Sequence, residues 1–279
     1  MFHPFTLNIK GELRSYERPQ VMGIVNVTPD SFYEASRTMD CDAVKMRVED
    51  MLLSGVDFID IGAYSSRPGA DDVSAQEEID RIGVGMEVIR SLNVDIPVSV
   101  DTFRSEVAKI AVSEMGVDII NDISGGELDE KMFDTVAALN VPYVLMHMRG
   151  TPATMQLYTD YEDVTADILL ELSKKLRKLH LMGVADVIVD PGFGFSKTLE
   201  QNYDIMRSLE TFSSQLGVPV LIGVSRKSMI KKALDVSSED ALNGTTVLNT
   251  IALMRGAAFL RVHDVREAVQ AVKLYELSK

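Results

Sequence analysis

Apolar residues in this chain fall in short unbroken runs: Val21–Val25, Val56–Ile61, Ile96–Val100, Val117–Ile120, Pro142–Met146, Val184–Val189, Pro219–Val224 and Ala257–Val262. Runs that do not alternate with polar residues suit parallel strands covered on both faces. Between them the period changes. Ser74-Ala75-Gln76-Glu77 reads as a capping box ahead of Ile79, Ile82 and Met86, and Asp163 to Met182 repeats Leu and Ile at three- and four-residue spacing. Gly55, Gly116, Gly183, Gly217 and Gly256 each stand where a helix should stop, shortly before the next apolar run. Eight such alternations predict an α/β fold, a (β/α)8 barrel forming a single domain over residues 1–279. Ahead of the first run, Leu7 to Leu13 alternate around Gly11, which predicts a short N-terminal hairpin closing the barrel floor.

The polar residues at the ends of these runs point to chemistry. Asp60, Asp101, Asn121, Asp190, Lys227 and Arg261 lie at or just past strand ends. A parallel barrel brings those ends to one face and builds its pocket there. Asn26–Asp40 and Gly62–Val73 are long and rich in Pro, Gly, Ser and Asp, as expected of mobile loops that cover a substrate.

Composition narrows the partners. A formal charge of −14 would repel nucleic acid and anionic membrane, leaving small molecules as the expected partners. Arg67, Lys227, Arg261 and His263 nevertheless give the strand-end segments a local positive charge suited to an anion. No apolar run reaches the roughly 18 residues of a membrane span, and the start of the chain has no signal-peptide pattern. One cysteine, Cys41, leaves no internal disulfide, in keeping with a cytoplasmic protein. That thiol reads as a bystander, and His147 and His180 read as structural.

The segments Asn26-Val27-Thr28-Pro29-Asp30-Ser31-Phe32, Ser66-Arg67-Pro68-Gly69, Asp190-Pro191-Gly192-Phe193-Gly194-Phe195, Gly223-Val224-Ser225-Arg226-Lys227 and Arg261-Val262-His263 resemble, in order and spacing, the dihydropteroate synthase family. The resemblance runs from about Val21 to near Tyr275. It implies a transferase that joins para-aminobenzoate to hydroxymethyl-dihydropterin pyrophosphate, releasing pyrophosphate by a dissociative path. The residues suit that chemistry. A carboxylate can accept two N–H bonds from an amino-pyrimidinone edge, and a carboxamide can both donate and accept. Each strand-end Asp could instead cap the following helix. For Asp60 a capping or supporting role is as good a reading as direct contact.

The resemblance assigns the pterin to Asp101, Asn121, Asp190 and Lys227; of the methionines, Met146 alone is read as a further pterin contact. The Arg261 fork and the His263 imidazole, with a second fork from Arg67, suit a pyrophosphate, and the resemblance places Mg2+ there with Asn26 as its neutral oxygen ligand. Para-aminobenzoate falls to Ser66, Pro68, Phe195 and Ser225. Asp101, Asp190, Lys227 and Arg261 are then the catalytic group. The implied assembly is a homodimer, and sulfonamides are expected to compete with para-aminobenzoate. Ala63-Tyr64-Ser65-Ser66 departs from the usual Gly-Glu-Ser-Thr, leaving that loop's contacts open. Two other readings remain. A pterin-binding methyltransferase serving a corrinoid protein would share the Asp–Asn–Asp grip without needing the cations. A non-catalytic carrier of folate precursors would not turn over substrate.

Overall fold

A computed structural model describes residues 2–27, 37–64 and 73–279. A hairpin comes first, β1 (Phe5–Ile9) and β2 (Glu12–Tyr16), antiparallel around a turn in which Lys10 and Gly11 both have positive φ, 54° and 82°. Two left-handed residues in a two-residue loop give the turn whose twist matches the flanking strands. The body then alternates strand and helix: β3 (Gln20–Asn26), α1 (Arg37–Ser54), β4 (Phe58–Gly62), α2 (Ala75–Ser91), β5 (Val98–Asp101), α3 (Ser105–Ser113), β6 (Ile119–Asp122), α4 (Met132–Leu139), β7 (Tyr143–Met146), α5 (Val164–Leu181) and β8 (Val187–Asp190). Two helices, α6 (Leu199–Arg207) and α7 (Leu209–Leu216), precede β9 (Leu221–Ile222); α8 (Ser228–Leu234) and α9 (Leu242–Met254) precede β10 (Phe259–Val262); α10 (Val265–Leu277) follows.

The eight strands from β3 to β10 pair in parallel in the order β8-β7-β6-β5-β4-β3-β10-β9. A single bridge, Val189 to Val220, joins β8 to the β9 edge and completes the ring. The barrel and the hairpin are therefore those the apolar pattern predicts. Two gaps hold paired helices where one was expected, because Ser208 and the left-handed Asp235 interrupt the runs. The strands also extend past their apolar stretches. Gly62 pairs with Asp101, Asp101 with Asn121, and Met146 with Asp190, so polar residues expected at strand ends lie within the hydrogen-bonded ladder.

Of the capping box read at Ser74–Glu77 one half is present, since the Glu77 carboxylate pairs with Arg81 instead of the Ser74 backbone. Ser74 Oγ accepts from the Glu77 N–H at the start of α2, and Asp163 accepts from Thr165 and Ala166 at the start of α5. Gly55, Gly116, Gly183, Gly217 and Gly256 all have positive φ, as helix terminators require.

Alternation along each strand separates core from site. Met22, Phe58, Ile119, Val144, Ile188, Leu221 and Phe259 point inward and pack into one buried cluster with Leu7 and Ile9 of the hairpin. Phe5 lies 5.2 Å from Phe259 and Tyr16 lies 5.4 Å from Phe58, ring centre to ring centre, so the hairpin closes the floor with aromatic contact. Leu7 and Ile9 are each 1% exposed, and burying such side chains contributes about 1.5–3 kcal/mol apiece. Two residues further along each strand the same inward face carries Asp60, Asn121, Met146, Asp190, Gly223 and Arg261. One layer seals the barrel and the next becomes chemistry.

Candidate active site

Asp60 is the hub of that second layer. Its side chain is fully buried and takes two groups. The Arg261 Nε–H donates to its Oδ2 at 2.7 Å, and Asn121 Nδ2 lies 3.3 Å and 3.4 Å from its two oxygens. Arg261 also donates through Nη2 to Asp101 Oδ2 at 2.8 Å. One planar guanidinium thus spans two carboxylates on adjacent strands, a geometry that an ammonium could not hold as rigidly. The supporting role weighed for Asp60 is what these contacts describe.

Across the mouth, Asp190 is buried, and its Oδ1 accepts from the Gly192 N–H at 2.7 Å. Lys227, at the N-cap of α8, sends its ammonium to the Phe193 carbonyl at 2.6 Å and lies 4.7 Å from the centre of the Phe195 ring. Lys227 and Asp190 flank Gly223: a Cβ built there would stand 3.7 Å from Lys227 Nζ and 4.0 Å from Asp190 Oδ2. Met146 packs with Ile123, Met148 and Met155, and Phe103 and Phe195 lean on the same cluster. The polar mouth therefore has one apolar wall.

Burial sets the electrostatics. It pushes the Asp101 carboxyl up to about 7 against the pull of Arg261, and it raises Asp190 against Lys227. It draws Lys227 down to about 8 with Asp190 opposing. Burial also works against the Arg261 cation, yet Asp60 and Asp101 hold its pKa above the ordinary value. Burial and Arg261 together take His263 down to about 4, so its ring is neutral near pH 7. Desolvated carboxylates set beside desolvated cations suit a ligand that carries both ring N–H donors and an anion.

The other residues singled out from sequence are distributed as follows. The His263 N–H donates to Ser225 Oγ at 3.1 Å, and His263 Nδ1 lies 3.0 Å from the same oxygen, so Ser225 is buried against His263. Asn26 is exposed at the end of β3, its Oδ1 lying 3.3 Å from where a Cβ on Gly62 would be. Ser66, Arg67 and Pro68, together with Phe32 and most of both long loops, lie outside the described residues. Tyr64 meets Phe103 edge-on with ring centres 5.1 Å apart. Among the described residues no group of three or more His, Cys, Asp or Glu could hold a metal. The single neutral oxygen of Asn26 therefore fits Mg2+ only where phosphate oxygens and water complete the shell.

Sequence reasoning passed over Lys197. It is buried behind the mouth, where its ammonium donates to the carbonyls of Gly192 at 2.9 Å and Phe195 at 2.8 Å and lies 3.1 Å from His147 Nδ1. Its place two residues beyond Phe195 was the available signal. His147, read as structural, is buried there with Nε2 3.1 Å from Glu171 Oε2, and His180 is exposed on α5. Burial, and then the Lys197 charge, lowers the His147 pKa from 6.5 to about 4. The folded form thus stays neutral where the unfolded chain takes up a proton. Stability from this group is full above about pH 6.5 and is lost as pH falls toward 4. Replacing His147 by Gln should flatten the fall in Tm between pH 7.5 and 5; an unchanged slope would count against the assignment.

A parallel barrel with paired carboxylates and a guanidinium fork at its C-terminal mouth defines an enzyme of small polar substrates. Residues 22–263 match the family described as pterin binding enzyme. The dihydropteroate synthase of Clostridium beijerinckii is 41% identical over 264 residues, covering 94% of each chain. A folate synthesis bifunctional protein of Arabidopsis thaliana is 40% identical over 276 residues, and the match covers 92% of this chain but 56% of that longer one. The structure of Xanthomonas albilineans dihydropteroate synthase with 4-aminobenzoic acid superposes with a TM-score of 0.89 at 36% identity, covering 98% of this chain and 97% of that one. The chain belongs to the pterin binding enzyme family, among the dihydropteroate synthases.

Proposed function

We propose that this chain condenses para-aminobenzoate with hydroxymethyl-dihydropterin pyrophosphate to give dihydropteroate and pyrophosphate, a carbon–nitrogen bond-forming step of folate synthesis. The observation that carries the reading is the buried mouth itself, in which Asp101 pairs with Arg261, Asp190 and Lys227 flank Gly223, and Asn121 lies against Asp60. The carboxylates and Asn121 take the ring N–H groups of the pterin, while Lys227 reaches its carbonyl and Met146 packs on the ring. Asp101 and Asp190 then lie close to the methylene carbon as the C–O bond to pyrophosphate breaks. Fixed negative charge in a desolvated site lowers the energy of the cationic carbon that forms.

Arg261 and Arg67 receive the departing pyrophosphate. His263, neutral beforehand, can offer that anion one ring N–H but no charge. Asn26 would hold Mg2+, which supplies charge neutralisation on the leaving group. Phe195, Pro68, Ser66 and Ser225 form the arylamine site. The arylamine nitrogen is itself a nucleophile at neutral pH, so no strong base is needed to start the attack. A homodimer in the cytoplasm completes the proposal. The partly exposed Val247 and the exposed Met254 on α9 offer the kind of apolar face a second copy could cover.

The test is to mix the chain with both substrates and measure the two products with and without Mg2+. Equimolar, Mg2+-dependent appearance of dihydropteroate and pyrophosphate is expected. Pterin binding with no coupling would overturn the reading in favour of a methyltransferase or a carrier.

A further inference from the structure

The loop from Gly192 to Ser196 is held in an unusual backbone path. Gly192, Gly194 and Ser196 have φ values of 74°, 82° and 48°, so three residues in five are left-handed. A path of that kind persists only where its surroundings over-determine it. Its carbonyls are divided between two ammonium groups. Those of Gly192 and Phe195 accept from Lys197, and that of Phe193 accepts from Lys227. Lys197 Nζ also lies 3.4 Å from the His147 carbonyl and 3.1 Å from His147 Nδ1, which ties the loop to the end of β7. On the far side of the ring His147 Nε2 lies 3.1 Å from Glu171 Oε2, so the line of contacts runs from Lys197 outward to α5. Lys197 is 3% exposed, and of the residues assigned to substrate it meets Phe195, through the backbone carbonyl and not the ring.

We propose that Lys197 is a positioning residue for the coupling step. Its buried ammonium fixes the 192–195 loop so that the Phe193 carbonyl aims Lys227 and the Phe195 ring stands beside that lysine. Without a cation behind the loop, the Phe195 carbonyl loses its buried donor and the Gly192 carbonyl is left with the Phe195 N–H alone, so both are freed to turn. Turning either one rotates the Phe193 carbonyl between them, and with it the partner of Lys227. The Gly192 N–H that donates to Asp190 belongs to the same turn, so Lys197 acts on both sides of the cleavage site without touching it.

The inference rests on the synthase reading, and the experiment separates the two. Wild type, Lys197→Met and Lys197→Gln are compared by thermal melting, by calorimetric titration with the pterin pyrophosphate alone, and by coupling kinetics with para-aminobenzoate varied. Lys197→Met keeps the buried stem and removes the cation. It should lower kcat about tenfold and raise the KM for para-aminobenzoate about tenfold. The pterin Kd should shift by no more than about threefold, because Asp101 and Asn121, which the 192–195 loop does not hold, still grip the ring. Lys197→Gln, which keeps N–H donors without the charge, should fall between; if Lys197→Met does not fold, the same two ratios are read from Lys197→Gln. Wild-type kinetics in the variant, or a pterin Kd and arylamine KM rising together by one factor, would overturn the positioning role. A wild-type enzyme that binds pterin and does not couple would instead sink the synthase reading.

Discussion

Replacing Arg261 by Met is expected to damage both activity and fold more than any other single change at the site. Arg261 links the fully buried Asp60 to Asp101, with N–O distances of 2.6 Å and 2.8 Å. Removing one partner of a buried ion pair leaves the other charge uncompensated, which costs about 3–5 kcal/mol. Catalysis should fall by about 100- to 1000-fold, the usual loss when a fixed donor to developing negative charge is removed. Denaturant melts and steady-state kinetics check the two effects separately. Adding Asp60→Asn to the Arg261→Met chain should return part of the stability and none of the activity, because the stranded charge goes while the cation stays missing. Strictly additive stability losses would show that the pair does not act as a unit.

The second large effect is expected at Gly192. Its φ is 74°, and a Cβ there would overlap the backbone carbonyl oxygen of His147. That carbonyl cannot easily retreat, because the His147 N–H is bonded to the Asp190 carbonyl at 3.0 Å, so both ends of the contact are anchored. Left-handed backbone with a side chain costs about 1–2 kcal/mol by itself. With the overlap added, Gly192→Ala should lose on the order of 3 kcal/mol or more and lower coupling. Gly217→Ala is the matched control. It shares a positive φ of 66° but has nothing within 4 Å of its would-be Cβ, so it should cost only the backbone share of about 1–2 kcal/mol. Equal losses at the two positions would mean that the His147 contact does not matter.

Asp101, Asn121 and Asp190 were legible from sequence because each closes an apolar run, and alternation along a parallel strand decides which side chains share the inner face. The floor was legible for the same reason, since Leu7 and Ile9 alternate around a turn. The hub at Asp60 was not, because its importance comes from Arg261, 201 residues away, and no local pattern says which strand ends will lie opposite. Lys197 was passed over because a lysine in a glycine-rich loop ordinarily reaches solvent. Only the assembled fold surrounds it with carbonyls. Ser225, placed by resemblance with the arylamine, has its hydroxyl turned to His263, a rotamer and tertiary choice that spacing cannot encode. The split between α6 and α7 was missed because apolar spacing continues across Ser208 while the backbone does not.

The barrel ring is not equally strong all round. Neighbouring strands elsewhere are laced by runs of paired residues, whereas β8 meets the β9 edge at one bridge and β9 itself has two residues. Asp190 ends the strand on one side of that joint, and Lys227 follows the strand on the other. A molecule gripped by both would work as a clasp on a hoop, adding a tie across the gap that the backbone leaves nearly open. Ligand in the mouth should therefore raise the resistance of the hoop to unfolding, as any ligand that binds only the folded chain does.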